Sequence, residues 1–268
     1  QHIIRYFVTM VMTLLLYTAN AQLIDRYNSF NYNVNEGLLQ TTIMNMAFDK
    51  NNFCWISFPN GIQKFDGIHF TMVPIQAGLP DDKLVYLYTC HNGDIFLSHS
   101  GGISKYEISG NRFVQVYTAK AGEGKPAQFI GDEENVIYFF TNPGSIKGIN
   151  CHTYQLVSEV NTGLIKNAYS SDYRPKISSN MINHRVAFEI QSAIYLWDLK
   201  KEKLISQSPV IDSMSRFFLV LKSENEVLYA RYDHPDALLG YHFIEKTSRK
   251  IFIHGKAEKY MSRCIIYP

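Results

Sequence analysis

Several kinds of signal are scarce in this chain of 268 residues. Its 26 basic and 24 acidic side chains give a formal net charge of +2 without any basic block, which argues against a nucleic-acid-binding surface. Four cysteines are widely spaced and form no CxxC motif: Cys54, Cys90, Cys151 and Cys264. Because neither a disulfide scaffold nor a close pair of Cys or His ligands is present, we predict no metal and no cofactor.

Motifs of common catalytic machinery are missing as well. Gly-x-Ser-x-Gly does not occur, and Gly122-Glu123-Gly124 lacks the following helix that a phosphate-binding loop needs. Beyond the N-terminal segment, no stretch keeps a helical period for more than two turns, and no low-complexity linker divides the chain. We therefore expect one all-β region that is not itself an enzyme.

The N-terminal segment has the pattern of a secretory signal. Arg5 precedes an apolar run over residues 6–17, and Thr18-Ala19-Asn20-Ala21 supplies a small-x-small cleavage site before Gln22. The rival interpretation is an uncleaved membrane anchor, but the run is shorter than the roughly 20 residues that a membrane-spanning helix needs. We predict a signal peptide at 1–21 and an exported region at 22–268.

Aromatic residues and hairpin signals are abundant. The 17 Phe and 18 Tyr favour strands over helices. The stretch 53–66 contains an apolar run, a Pro-Asn-Gly turn and a second run, which predicts a β-hairpin. The stretch 94–107 matches it without a gap at an offset of 41 residues, and weaker copies lie at 136–144, 186–198 and 227–243. The aromatic residues that we place at corresponding positions are Trp55, Phe96, Tyr138, Phe188 and Tyr229.

A hairpin repeated every 40 to 45 residues is typical of a β-propeller with four-stranded antiparallel blades. We place blades near residues 40–75, 82–118, 127–160, 177–211 and 215–254, with a longer insertion at 161–180. The recurring aromatics could form a sugar-stacking ring, but repeated aromatics on middle strands are better explained by packing between adjacent blades. We assign Asp66 and Glu107, at matching strand ends, to turn capping.

Four segments resemble the two-component-regulator propeller repeat, which occurs in the exported sensor region of hybrid histidine kinases and related regulators of Bacteroidetes. These segments are Glu36-Gly37-Leu38-Leu39-Gln40, the stretch 49–57, the stretch 61–67 and, leading into the second blade, Gly78-Leu79-Pro80-Asp81. Asn52 stands where the family usually has Gly, and Ser57-Phe58 stands where it usually has Gly-Thr. The resemblance is specific over residues 30–107 and fades through residue 254.

The resemblance implies a seven-bladed propeller, of which about five blades are present here as an incomplete ring in an N-terminal fragment. It also implies a non-catalytic periplasmic sensor region of a two-component histidine kinase or regulator, anchored in the inner membrane by a later segment. The expected partners are a glycan-derived oligosaccharide or another small solute, and a second copy in a homodimer. Because open blade edges template aggregation, we expect the fragment alone to be poorly soluble.

The loops between the second and third strands of each blade collect on one face of a propeller, where loops on a rigid scaffold commonly bind ligands. We predict ligand-binding residues there because the loops combine aromatic, amide and hydroxyl groups that suit a sugar. The alternative is that these loops are only turns. The candidates are Phe58, Asn60, His99, Ser100, Asn142, Gln191, Tyr232, Asp233 and His234.

Two other functions stay open on the sequence. One is a structural or protein-interaction propeller in the cell envelope without a signalling output. The other is a propeller hydrolase or lyase, which would need converging carboxylates or a set of metal ligands that the sequence does not display.

Overall fold

The computed structural model describes residues 30–74, 86–120, 125–142, 145–160, 176–190, 192–210, 218–231 and 234–252. The predicted signal segment at 1–21, most of the insertion at 161–180, Gln191, Tyr232, Asp233 and Cys264 lie outside these ranges. The chain divides into two compact units, residues 1–41 and 42–268. Among the described residues, no helix is long and apolar enough to cross a membrane.

The described part of the first unit contains one short 3-10 helix, Val34–Glu36. Asn33 caps its N-terminus, because the Asn33 side chain accepts a hydrogen bond from the Asn35 backbone N–H at 2.8 Å. The Glu36 carboxylate in turn accepts from the Asn33 backbone N–H at 2.8 Å, which completes a capping box.

The described part of the second unit consists of β-strands in five four-stranded sheets. In chain order, the five blades contain β1 (Asn45–Phe48), β2 (Cys54–Phe58), β3 (Gly61–Phe65), β4 (Phe70–Met72); β5 (Tyr86–Thr89), β6 (Ile95–His99), β7 (Gly102–Glu107), β8 (Arg112–Thr118); β9 (Lys125–Glu133), β10 (Val136–Asn142), β11 (Ile146–Asn150), β12 (Leu156–Val160); β13 (Lys176–Ile177), β14 (Arg185–Ile190), β15 (Ala193–Asp198), β16 (Lys203–Gln207); and β17 (Phe218–Ser223), β18 (Glu226–Arg231), β19 (His234–His242), β20 (Thr247–Phe252). Consecutive strands pair antiparallel in every sheet, so the predicted propeller of four-stranded blades is confirmed.

The turns of the first two blades show why the sequence pattern takes this form. In blade 2, Gly102 has φ +149°, and a Cβ there would lie 1.9 Å from the Tyr117 carbonyl oxygen, so only glycine fits. In blade 1, Asn52 has φ +63° between β1 and β2. Asparagine tolerates this left-handed conformation better than other non-glycine residues, which explains how it can replace the glycine of the family pattern.

Four apolar clusters fill the wedges between consecutive blades. One cluster joins blades 1 and 2, and the others join blades 2 and 3, 3 and 4, and 4 and 5. None of these clusters of described residues joins blade 5 to blade 1. Each blade therefore depends on its neighbours in the chain for burial of its faces, as in other repeat architectures.

The recurring aromatic residues pack in these wedges, as predicted, but they do not all face the same way. Trp55, Phe96 and Tyr138 lie in the wedge toward the following blade. Phe188 and Tyr229 lie instead in the wedge toward the preceding blade. A strand shifted by one residue turns each side chain to the opposite face, so the placement of these two residues at the Trp55 position was wrong.

The residue of blade 4 that corresponds to Trp55 can be found by counting back from the hairpin between the second and third strands of each blade. Phe58 pairs with Gly61 across a two-residue turn, and Ile190 pairs with Ala193 in the same way in blade 4. Three residues before Ile190 is Ala187, which is therefore the counterpart of Trp55 and faces blade 5.

Asparagine side chains connect the innermost strands of neighbouring blades. Asn45 in β1 accepts a hydrogen bond from the Leu87 backbone N–H in β5 at 2.9 Å. Asn180, just after β13, accepts from the Leu221 N–H at 2.7 Å and donates to the Leu221 carbonyl at 2.8 Å. Each asparagine thus satisfies backbone groups that an edge strand would otherwise leave unpaired.

Candidate functional site

Of the nine residues predicted as ligand-binding, six lie among the described residues, in or beside the turns between the second and third strands of their blades. Asn60 and Ser100 occupy turn positions and are exposed. Phe58 and His99 are buried, with exposed fractions of 2% and 5%. Asn142 ends β10 and His234 begins β19, while the other three candidates lie outside the described residues.

His99 closes its own turn. Its Nδ1 accepts a hydrogen bond from the Gly101 backbone N–H at 3.2 Å, so the ring proton belongs on Nε2. Nε2 lies 3.0 Å from the Ser104 hydroxyl, to which it can donate. Both ring nitrogens therefore have partners within the hairpin, and His99 holds the loop in place. On this face, Asn60 and Ser100 are the candidates whose side chains are described and exposed.

The opposite face carries the turns between the first and second strands, and between the third and fourth strands, of each blade. It contains a cleft of about 340 Å³. Turns and strand ends of blades 1, 2 and 3 form it together. Its lining is mostly polar and includes charges of both signs: Lys50, Asp94, Lys105, Tyr106, Glu107, Ile108, Ser109 and Tyr154. Its size lies at the lower end of the range of roughly 300–1,000 Å³ for small-molecule sites.

The centre of this cleft is an ion pair within blade 2. Lys105 Nζ lies 2.7 Å from Asp94 Oδ2, and the two side chains are 22% and 19% exposed. Lys105 Nζ also lies 5.9 Å from the centre of the Tyr154 ring, which comes from blade 3. Burial lowers the pKa of Lys105, but hydrogen bonds to Asp94 and Tyr154 outweigh it and raise this pKa above its usual value. The ammonium therefore stays charged and fixed.

Blade 1 has the counterpart of this ion pair, because Lys64 pairs with Trp55 as Lys105 pairs with Phe96. Lys64 Nζ lies 3.8 Å from the centre of the Phe53 ring and 3.9 Å from Asp49 Oδ2. Here the lysine lies over packed rings instead of lining a cleft. The same lysine–carboxylate arrangement thus packs over an aromatic ring in blade 1 and lines the cleft in blade 2.

Tyr154 occupies an unusual backbone conformation in the turn between β11 and β12. Its φ is +59°, a value that is uncommon for a bulky residue. Blades 2, 4 and 5 also have a residue of positive φ in the turn before the outer strand, namely Asn111, Glu202 and Lys246, each directly before that strand. Tyr154 stands two residues before β12, and its ring contributes to the cleft.

A second charged group connects blades 3 and 4 on the same face. The His184 backbone N–H donates to Glu133 Oε2 at 2.5 Å, and the His184 ring lies 3.4 Å from Glu134. Lys200 in turn contacts Glu134 at 2.8 Å. The neighbouring Lys200 and then His184 lower the pKa of the Glu134 carboxyl. These ion pairs link blade 3 to blade 4. Among the described residues, no group of three or more side chains could hold a metal ion.

The cleft was not predicted from the sequence, although one signal for it was present. The ungapped match of the two hairpin stretches aligns Lys64 with Lys105, but the sequence analysis assigns neither lysine a role. Tyr154 belongs to a degenerate repeat, so its proximity to Lys105 follows only from the packing of blade 3 on blade 2. Asp66, by contrast, caps its turn as predicted by accepting from the Ile68 and His69 N–H groups at 2.8 and 2.6 Å.

Comparisons with known proteins establish the fold and nothing finer. No family model matches the sequence, and no curated protein does. Among solved structures, the extracellular domain of the hybrid two-component system BT4673 from B. thetaiotaomicron superposes with a TM-score of 0.60 at 11% identity, covering 85% of this chain and 34% of that domain. The extracellular domain of the hybrid two-component system BT3049 from the same organism gives 0.59 at 12% identity, covering 84% and 32%.

A streptogramin B lyase structure is equally similar, with a TM-score of 0.59 at 17% identity, covering 82% of this chain and 72% of that one. This chain therefore spans about a third of the length of the two extracellular domains. Because sensor domains and a lyase share the propeller fold, the fold by itself does not decide between them.

Proposed function

We propose that this chain is the extracytoplasmic sensor propeller of a two-component regulator. The observation that carries the proposal is the set of propeller-repeat motifs in the first two blades, because the fold shared with the extracellular domains of BT4673 and BT3049 does not by itself separate a sensor from a lyase. The secretory pattern of the N-terminal segment supports the proposal independently.

In this role the propeller binds a small solute and performs no chemistry. The finer proposals are a periplasmic location, a tether to the inner membrane through a later segment, a homodimer and a glycan-derived ligand. Binding would act by favouring one packing of the blades, or of two propellers, over another. A ligand shifts such an equilibrium only as far as its affinities for the two states differ.

Because we expect this fragment alone to be poorly soluble, the direct test is a thermal-shift screen of the propeller within the full-length sensor region, against saccharides, amino acids, organic acids and nucleosides. A ligand at one hundred times its Kd stabilises the folded state by about 2.7 kcal/mol. For a protein of this size, 1 kcal/mol corresponds to roughly 2–4 °C in Tm. We expect one solute class to raise Tm by several degrees. If the protein unfolds cooperatively and no class raises Tm, sensing of a small solute is refuted.

A propeller that binds other proteins without signalling is the second candidate, and one observation favours it. Exposed isoleucines lie in the turns between the third and fourth strands of blades 1, 2 and 5. They are Ile68, Ile108 and Ile244, with exposed fractions of 75%, 56% and 68%. Exposed apolar side chains in repeated positions can contact a partner. The downstream reading frame separates the two candidates: a membrane helix followed by a kinase core supports the sensor, whereas an early stop codon supports the interaction module.

A further inference from the structure

Two of the cysteines lie in the same apolar wedge, on facing blades. Cys90 follows β5 of blade 2 and Cys151 follows β11 of blade 3, and both belong to the cluster that joins these blades. Their exposed fractions are 3% and 7%, and both are free thiols. Of the four clusters of described residues, this is the one that contains cysteine. A bond between the two thiols would therefore join consecutive blades.

We propose that Cys90 and Cys151 form a disulfide that crosslinks blade 2 to blade 3. The proposal rests on the exported location in the proposed function, because disulfides form and persist in oxidising compartments outside the cytoplasm. The spacing of the cysteines could not reveal this pair. The two residues are about 60 positions apart in the sequence, and only the packing of the blades brings them to one wedge.

The alternation of side chains along the strands directs both thiols into the wedge. In β5, Tyr88 packs in the wedge with blade 3, whereas Leu87 packs in the wedge with blade 1. Cys90 comes two residues after Tyr88 and therefore has the same orientation. In blade 3, Ile149 packs in the wedge with blade 2, and Cys151 follows it by two residues. Each cysteine thus directs its side chain at the blade that carries the other.

The turns that carry the two cysteines meet at Lys105. In the turn after Cys90, Asp94 Oδ2 lies 2.7 Å from Lys105 Nζ, and the Cys90 backbone N–H donates to the Asp94 carbonyl at 3.0 Å. In the turn that begins at Cys151, the centre of the Tyr154 ring lies 5.9 Å from the same Lys105 nitrogen. Because Asp94 and Tyr154 also line the cleft, a bond between the two turns would fix the width of the cleft.

The end of β9 and the turn after it hold both cysteine-containing segments. Asp132 Oδ2 accepts a hydrogen bond at 3.1 Å from the backbone N–H of His91, which directly follows Cys90. The Asn135 carbonyl accepts from the Cys151 backbone N–H at 2.8 Å. One short segment of blade 3 therefore fixes both cysteine backbones relative to each other. A disulfide requires such a fixed approach, since Cα atoms more than about 7 Å apart cannot be bridged without backbone movement.

The bond forms by thiol–disulfide exchange, and the oxidant is the disulfide of a thiol oxidase in the exported compartment. One cysteine, as the thiolate, attacks the disulfide of the oxidant and releases one of its sulfurs. The second cysteine then attacks the mixed disulfide and releases the other sulfur. The two thiols of this chain lose two protons and two electrons in total, which the oxidant takes up as it becomes a dithiol.

Burial determines when this exchange can occur. Burial is the largest cause that raises the pKa of the Cys90 thiol, and negative charge on Asp132 and Cys151 raises it further. Burial also raises the pKa of the Cys151 thiol. Because the thiolate is the reactive form, two buried thiols exchange slowly in the folded chain. We therefore expect the disulfide to form while blades 2 and 3 pack during folding, and to resist reduction afterwards.

The experiment refolds the propeller, within the full-length sensor region, from denaturant and reductant into a mixture of oxidised and reduced glutathione. In the folded fraction, free thiols are blocked with N-ethylmaleimide, and the protein is digested with trypsin and analysed by mass spectrometry. Trypsin places the cysteines of the described residues on separate peptides, which are 51–64 with Cys54, 84–105 with Cys90 and 148–166 with Cys151.

We expect most of peptide 84–105 to be recovered linked to peptide 148–166, and peptide 51–64 to be recovered blocked. Two outcomes would overturn the proposal. One is that peptides 84–105 and 148–166 are both blocked in the folded chain. The other is that either peptide is linked to a different cysteine.

The deciding variant is Cys90→Ala, with Cys54→Ala as its matched control. Cys54 is also buried, with 8% exposed, but it lies in β2 and outside the four clusters. We expect the wild-type chain refolded with oxidised glutathione to melt roughly 5–15 °C above the same chain refolded in reductant. Cys90→Ala and Cys151→Ala should abolish this difference, and Cys54→Ala should preserve it. A redox-dependent Tm that Cys90→Ala leaves unchanged would refute the pairing.

The outcomes separate this proposal from the sensing function. If peptides 84–105 and 148–166 stay unlinked while a solute raises Tm, the disulfide is overturned and the sensor stands. If the two peptides link on refolding but are found reduced in protein isolated from cells, the pairing is supported and the proposed exported location is what fails.

Discussion

The wedge between blades 1 and 2 and the wedge between blades 4 and 5 are filled from opposite sides. In the first, the leading blade supplies the large side chain, Trp55, which is fully buried against Leu87 and Leu97 of the trailing blade. In the second, the leading blade supplies Ala187, and the trailing blade supplies Tyr229. A large aromatic side chain in a wedge can therefore come from either of the two blades that form it. Close packing requires only that the wedge be filled.

That difference explains what could be predicted from the sequence. The turn residues and the alternation of strand 53–58 predicted blade 1, and the ungapped copy at 94–107 predicted the period. In blades 4 and 5 an aromatic still recurs near the expected spacing, so Phe188 and Tyr229 were aligned with Trp55. The register of a strand, to the residue, is set by the pairing of its hairpin. From sequence it can be predicted only where the turn has a clear signal, such as Pro59-Asn60-Gly61.

The candidate site was harder to predict for a related reason. The β2–β3 turns were chosen because they collect on one face, but the described structure shows Phe58 and His99 buried on that face. The cleft on the opposite face combines Lys105 of one blade with Tyr154 of the next. Such a contact depends on how far two blades approach each other, and no local pattern in one repeat contains that distance.

Truncation of Trp55 should have the largest effect on stability. Trp55→Ala removes a fully buried indole that packs edge-on against Tyr106 and Phe113, with ring centres 4.5 and 5.9 Å away. We expect the free energy of unfolding to fall by about 3–5 kcal/mol, measured by urea denaturation. A loss below about 1 kcal/mol would contradict the assignment of Trp55 as the residue that fills this wedge.

The second prediction tests whether the large side chain in the wedge between blades 4 and 5 comes from blade 5, as Tyr229, and not from blade 4. Tyr229→Ala should reduce the free energy of unfolding by about 3 kcal/mol. Adding Ala187→Leu should restore part of that loss, because both residues line the same wedge and the new side chain can enter the cavity.

Ala47→Leu is the matched control for that rescue. Ala47 lies in the wedge between blades 1 and 2, so the extra volume cannot reach the cavity left by Tyr229. In the Tyr229→Ala background we expect no recovery from it. Additive effects of Tyr229→Ala and Ala187→Leu in a double-mutant cycle would show that the corrected register is wrong.

A smaller effect should follow from the carboxylate that borders the first wedge. Asp49 accepts from the Trp55 indole N–H at 2.9 Å and from the Asn51 and Phe53 backbone N–H groups at 2.9 and 3.1 Å. Asp49→Ala leaves these donors unpaired, and we expect a loss of about 1–3 kcal/mol in unfolding free energy. Asp49→Asn should lose less, since one amide oxygen can still accept. Equal losses in the two variants would contradict this role.

The smallest expected effect is on the pH dependence of stability. It compares the turns between the third and fourth strands of blades 1 and 5. Asp66 closes the β3–β4 turn of blade 1, and hydrogen bonds from the His69 and Ile68 N–H groups lower its pKa below the usual 3.8. In blade 5, the corresponding turn is closed by His242 Nδ1, which accepts from the Glu245 N–H at 3.2 Å.

A lowered folded-state pKa means that ionised Asp66 stabilises the fold above pH 3.8, and that this stabilisation is lost as the pH falls through the folded-state value. Asp66→Asn keeps the turn acceptor but removes the charge. We therefore expect its Tm to lie slightly below that of the wild type at neutral pH, and the difference to vanish in acid. Glu245→Gln, beside the turn of blade 5, is the matched surface control. A Tm difference for Asp66→Asn that stays constant across pH would mean that the charge of Asp66, as distinct from its shape, contributes nothing to the turn.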